Sequence, residues 1–158
     1  IQFNISARDV PLVVHAPSDK DAKGTRRILS TLDTLSKKGI RFELKLIQNM
    51  EHMELMALLS KADVLLDQFC PYTATLSYEG MASGCAVVSG NITGVHPFPL
   101  YKNPVWHIDT FNIEEKLECI LTDKKLRINL AERGRRFTEK YCFLKPFGKY
   151  ILNLLESV

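Results

Sequence analysis

Apolar residues along this chain switch between two spacings, and the switches mark out its elements. Pro11 to His15 (PLVVH) is a continuous apolar run of the kind a buried parallel strand shows, and it stops at the turn-forming series Pro17, Ser18, Asp19. From Gly24 to Lys38 the residues Ile28, Leu29, Leu32 and Leu35 recur at helical spacing, with Gly39 placed as a C-cap. Phe42, Leu44 and Leu46 then alternate with Glu43 and Lys45 up to Ile47, which predicts a second strand with one face less buried. Met53, Met56 and Leu59 define a short helix.

The next stretch, Asp63 to Gly90, reads as a complete βαβ unit. An apolar strand (Asp63 to Leu66) runs into a loop (Gln68 to Tyr72), a helix from about Thr73 to Ser83 closed by Gly84, and a second apolar strand, Cys85 to Ser89. Thr73 or Thr75 can cap the helix, whose first-turn amides would face the carboxyl end of the preceding strand. Glu79 lies in its second turn, where a carboxylate suits sugar hydroxyls better than an anion.

Beyond Ser89 comes a breaker-rich loop, Gly90 to Pro104, long enough to be functional or a plain surface excursion. Val105 to Ile108 makes a last short strand, and Ile113, Leu117, Ile120 and Leu121 a helix after it. Leu126, Leu130, Gly134, Phe137 and Tyr141 mark one face of a further helix, and Pro146 opens a terminal helix with Tyr150, Ile151, Leu154 and Leu155 on its apolar side. Ile1 to Val10 reads as a linker tail or a stray leading strand, so the domain is drawn over 11–158. Alternating strands and helices imply α/β class, a Rossmann-like three-layer α/β/α sandwich around a parallel sheet.

Composition narrows the chemistry. At 158 residues and 46% apolar content the chain suits one globular domain, which would bury about 68 to 70% of its unfolded surface. Cys70, Cys85, Cys119 and Cys142 are scattered, with no CxxC pair, so reduced thiols and a cytoplasmic setting are expected rather than zinc or disulfides. No apolar run approaches a membrane span, and no signal peptide opens the chain. The missing initiator methionine fits an excised fragment. A net charge of +3 gives no argument for nucleic acid.

Two blocks carry a family likeness: HAPSDKDAKGT, from His15 to Thr25, and ADVLLDQ (Ala62 to Gln68) followed by YEGMASGCAVVSG (Tyr78 to Gly90). Together they resemble the donor-binding half of GT-B glycosyltransferases, in particular the retaining family 4 type, over about Pro11 to Val158. The resemblance implies a nucleotide-sugar-binding domain, one half of a GT-B fold, working opposite an amino-terminal acceptor domain that this chain lacks. It implies transfer of a hexose-type sugar, with retention, from a UDP-, GDP- or ADP-sugar to a saccharide, lipid-linked or other acceptor, as in polysaccharide biosynthesis. No cofactor is required and no metal is expected. The chain alone would be inactive.

Carried over residue by residue, the family roles give Lys23 as the lysine holding the donor pyrophosphate, with Lys20 where an arginine is common. Both would stabilise the charge that grows on the leaving diphosphate. Glu79 matches the second glutamate of the family's pair, whose partner is the ribose diol. The wider contact set implied is His15, Ser18, Lys20, Lys23, Gly24, Tyr72, Thr73, Ala74, Thr75 and Glu79. The first glutamate of the pair falls on Pro71, and Gln68 to Tyr78 contains no carboxylate. Sugar contacts therefore fall to backbone amides and Tyr72, Thr73 or Thr75, or the sugar is held differently.

Several bland readings stand beside these. Lys20 and Lys23 also fit solvated turn residues, and Asp19 with Asp21 reads as a turn rather than a metal-binding DxD. His15 faces the expected cleft or packs at the strand end, while His52, His96 and His107 are structural by default. The basic helix around Arg127, Arg133, Arg135, Arg136 and Lys140 reads as a solvated face, with weak contact to an anionic membrane surface as a second reading. Base recognition falls in the turn from Gln48 to His52 or beside Asp67 and Gln68. A catalytically inactive nucleotide-sugar-binding module is the main alternative. A receiver-like signalling domain with Asp67 as phospho-acceptor fits less well, because it needs an acidic cluster after the first strand and a lysine after the last. No GxGxxG or GxxxxGK is present to support a dinucleotide site or a P-loop.

Overall fold

A computed structural model describes residues 5, 8–69, 74–90 and 104–142. Five strands alternate with five helices: β1 (Leu12–His15), α1 (Thr25–Lys37), β2 (Glu43–Leu46), α2 (His52–Leu59), β3 (Val64–Leu66), α3 (Thr75–Ser83), β4 (Ala86–Gly90), β5 (Trp106–Ile108), α4 (Ile113–Thr122) and α5 (Lys124–Tyr141). The sheet runs β2-β1-β3-β4-β5 with every pairing parallel. The expected terminal helix after Pro146, most of the loop before Pro104, and Cys70, Pro71, Tyr72, Thr73 and His96 lie outside the described residues.

Alternation along the buried strands sorts their side chains into two cores. Val13, Val64, Leu66, Ala86 and Val88 face α1 and α4, packing against Ile28, Leu32, Leu35, Ile113, Leu117 and Ile120. Leu12, Val14, Leu65 and Val87 face the other way, onto Met56 and Leu59 of α2, Met81 of α3 and Phe137 of α5. Helices thus cover both faces, as a parallel sheet requires. Gly80 lets α3 lie close on the sheet, since a Cβ there would run into Leu65 and Val87. β2 is one of the two edge strands, and its pattern is correspondingly open, with Leu46 38% exposed.

Three expectations fail at helix surfaces or ends. Met53, one of the apolar residues that define α2, is 70% exposed in the helix's first turn, and only Met56 and Leu59 of that helix are buried. Arg127, placed on a solvated basic face, is 2% exposed, and its guanidinium donates to the carbonyls of Ile120, Leu121 and Arg8. That closes the carboxyl end of α4, where carbonyls lack intrahelical partners. Arg135 also turns inward, donating to Ala82 O and to Glu139, which leaves Arg133, Arg136 and Lys140 as the exposed cations of that face.

The segment read as a linker is tied down where it is described. Arg8 donates to Asp63 and to Lys61 O, and Asp9 pairs with Lys124.

Candidate functional site

Strand order reverses direction between β1 and β3, since the chain leaves β1 toward one edge and returns to build the other. In doubly wound sheets the crevice beyond the carboxyl ends at such a point is where ligands bind. Here the loop after β1 and the loop after β3 meet in that crevice.

Residues 19–23 form a tight turn series that delivers Lys23 to this place. Asp19 accepts from the amides of Asp21 and Ala22, which accounts for the DxD pair as a turn. Lys23 N donates to Asp19 O and Thr25 N to Lys20 O, while Ser18 and Lys20 stay exposed. Gly24 then starts α1 with φ +67°, and a Cβ there would stand 2.5 Å from Phe69 Cβ. Only glycine satisfies both the left-handed backbone and the contact. Phe69 N donates to Lys23 O at 2.8 Å, so the two loops are stitched together by backbone as well.

At the centre stands an ion pair. Lys23 Nζ lies 2.9 Å from Oδ1 of Asp67, the residue that follows β3, and the two side chains are 13% and 0% exposed. The other oxygen of Asp67 accepts the Ser77 hydroxyl and, at 3.4 Å, the Ala74 amide. Neither Thr73 nor Thr75 is seen capping α3: Thr73 lies outside the described residues, and Thr75 is the first helical residue after an Ala74 N-cap without a side-chain cap bond. Asp67 instead ties the start of α3 to the end of β3 through the Ala74 amide and the Ser77 hydroxyl.

His15 does not open onto the crevice. It is fully buried; its Nδ1 donates to Leu66 O at 2.7 Å, and its Nε2 then accepts the Thr25 hydroxyl at 2.9 Å. Burial lowers its pKa from the ordinary imidazole value, with the Leu66 bond and Asp67 opposing. The neutral ring therefore braces β1 against β3 and α1.

Glu79 is two residues beyond Ser77, on the flank of α3 that faces α2. It meets Nε2 of His52, the first residue of α2, at 3.0 Å. His52, read from the sequence as structural by default, has a side chain 61% exposed and pairs with Glu79. Met50 and Met53 are exposed beside it in sequence, and Asn49 in the same turn has φ +52°. Lys23 and Glu79 accordingly reach the carboxyl edge on two flanks of α3. Sequence reasoning missed Asp67 as the partner of Lys23, Ser77 as a donor to Asp67, and His52 as the partner of Glu79. The polar DQ ending the apolar run ADVLLDQ was the available signal for Asp67.

No family model matches the sequence, and no curated protein resembles it significantly. Solved structures do. WaaG, a glycosyltransferase involved in lipopolysaccharide biosynthesis, superposes with a TM-score of 0.63 at 18% identity, over 84% of this chain and 44% of that one. TarM gives 0.70 at 14% identity, over 96% and 36%. The pneumococcal O-GlcNAc transferase GtfA, in complex with UDP and GlcNAc, gives 0.53 at 11% identity, over 97% and 38%. The chain thus spans less than half the length of these proteins. Their shared architecture defines its fold class: this is the Rossmann-like α/β fold of one half of the GT-B architecture, as the two sequence blocks implied.

Proposed function

We propose that the chain is the donor-binding domain of a glycosyltransferase that takes a hexose-type sugar from a UDP-, GDP- or ADP-sugar and passes it, with retention, to a saccharide or lipid-linked acceptor. The acceptor is bound by an amino-terminal domain outside this chain, so the domain alone binds the donor without transferring it. The observation that carries this reading is the placement of Lys23 and Glu79 on two flanks of α3 at one sheet edge, the switch point between β1 and β3. Glu79 offers a carboxylate to the ribose diol. Lys23, supported by Lys20, offers positive charge to the diphosphate, where negative charge grows as the anomeric carbon leaves. A neighbour of the same architecture is known in complex with UDP and GlcNAc, which supports the ligand class.

Exposed cations on α5, among them Arg133, Arg136 and Lys140, support weak contact of a cytoplasmic enzyme with an anionic membrane surface. Among the described residues no helix is long and apolar enough to cross a membrane.

A thermal-shift panel of UDP, GDP, ADP and their sugars tests the donor reading. One nucleotide series is expected to stabilise the protein by about 2.7 kcal/mol at a hundredfold excess over its Kd. Lys23→Ala is expected to remove most of that response. A full response in the variant would overturn the assignment of Lys23 to the diphosphate.

A further inference from the structure

The amino end of α3 and the ammonium of Lys23 are the two features expected to receive a diphosphate, and the protein's own carboxylate already engages both. Asp67 has no exposed side-chain surface, and it is held by Lys23 on one oxygen and by Ser77 and the Ala74 amide on the other. Two of these three holds are independent of Lys23, so the carboxylate stays in place when a ligand draws the lysine away. Lys23 is the movable member, on a loop and partly exposed. A phosphate that reaches Lys23 consequently comes to rest near a fixed, buried negative charge. Repulsion in such a setting is screened far less than at an open surface.

Resting on the donor-binding reading above, we propose that Asp67 is a specificity-determining residue that weakens binding of the free nucleoside diphosphate relative to the nucleotide sugar. The two ligands share base, ribose and diphosphate and differ in charge. In the nucleotide sugar the β-phosphate is bonded to the sugar and, through the anhydride, to the α-phosphate, which leaves it one ionisable oxygen. In the released nucleoside diphosphate the sugar bond is gone, and the terminal phosphate gains a second ionisation at about pKa 6. At pH 7.5 the product carries almost one more negative charge than the donor. Asp67 repels that extra charge and hastens release of a product that would otherwise hold the site.

The test measures Kd by calorimetry for the pairs UDP and UDP-glucose, GDP and GDP-mannose, ADP and ADP-glucose, in the wild type and in Asp67→Asn at pH 7.5. In whichever series binds, Asp67→Asn is expected to tighten the free diphosphate about tenfold, or about 1.4 kcal/mol, and the nucleotide sugar no more than about threefold. Equal changes for both ligands, or weakening of both, would leave Asp67 a mere support for Lys23 and overturn the proposal.

A wild-type measurement guards against a variant that fails to fold. Between pH 5.5 and 7.5 the free diphosphate is expected to bind more weakly relative to its sugar as it gains charge, whereas a purely cationic pocket gives the opposite trend. Among the described residues the charged or titratable groups by the phosphate position are Lys23, Asp67, the buried His15, and Asp19, Lys20 and Asp21 on the turn before Lys23, while His52 beside Glu79 acts on a nucleoside common to both ligands and cancels in the ratio. If no series binds at millimolar concentration, the donor-binding reading itself falls; if a series binds with an unchanged ratio, only the role of Asp67 does.

Discussion

β3 is preceded by Asp63 and followed by Asp67, and both side chains are wholly buried, yet the two ends of the strand are built for different ends. At the amino end Asp63 accepts the Leu12 amide at 2.7 Å and the Arg8 guanidinium at 3.2 Å. Arg127 meanwhile clamps three carbonyls that would otherwise be orphaned. Backbone groups dominate that network, and its cations are arginines whose planar forks are fixed by several bonds each. At the carboxyl end the cation is a lysine on a turn, a point charge held by Asp67 and able to exchange it. The difference is between a network that closes the fold upon itself and one that leaves a charge available for a ligand.

Breaking the closed end gives the largest effect. Arg127→Ala strands the buried carbonyls of Ile120 and Leu121 and loses the partly buried bond to Arg8 O, and a loss of about 3 kcal/mol is expected, at the lower end of what removing one member of a buried charged network costs. Urea unfolding measures it. Nucleotide affinity per folded molecule is expected to stay unchanged; a parallel fall in affinity would show that the two ends are coupled and that the contrast is false.

At the open end the expected cost appears in binding instead. Glu79→Gln keeps a hydrogen-bonding group for the ribose diol and removes its charge, which lowers affinity about tenfold, or about 1.4 kcal/mol, with little change in unfolding, since Glu79 is partly exposed and its His52 contact is on the surface. A deoxyribose form of the same nucleotide should be less affected by the variant than the ribose form. Equal effects on both would detach Glu79 from the sugar hydroxyls.

The contrast also explains what could be read in the sequence. β1, β3 and β4 are buried on both faces, so their unbroken apolar runs stood out, and Gly39 and Gly84 marked helix ends through a left-handed backbone that both adopt. Pairing between distant residues leaves no local trace. Lys23 and Asp67 are 44 positions apart, His52 and Glu79 are 27 apart, and only the crossovers of the sheet bring them together. Arg127 looked like its exposed neighbours because helical spacing assigned it to a basic face, whereas the end of α4 required a donor there. Strand order was no better guide to class, since β2-β1-β3-β4-β5 is also that of receiver-like domains. What separates the two is the source of the cation on Asp67: Lys23 comes from the loop after β1, whereas a receiver draws its lysine from the end of the last strand, and β1 ends here in His15, with Ala16 after it, rather than in an acidic cluster.

The smallest effect concerns His15, which joins the two regimes by being structural at the functional end. Its ring is buried, and desolvation holds its folded pKa below the ordinary value near 6.5. Below that value the unfolded chain takes up a proton that the folded chain refuses, so stability falls as pH drops from about 6.5 toward the depressed folded pKa. The slope for one group cannot exceed about 1.4 kcal/mol per pH unit. His15→Gln can offer a carbonyl and an amide to the same two partners without titrating. Its acid limb in urea unfolding, followed from pH 7 to 5, is expected to be shallower than the wild type by up to that slope. Identical limbs would mean that His15 takes its proton inside the folded protein, and the imidazole would then be accessible to the crevice and no longer a closed brace between β1, β3 and α1.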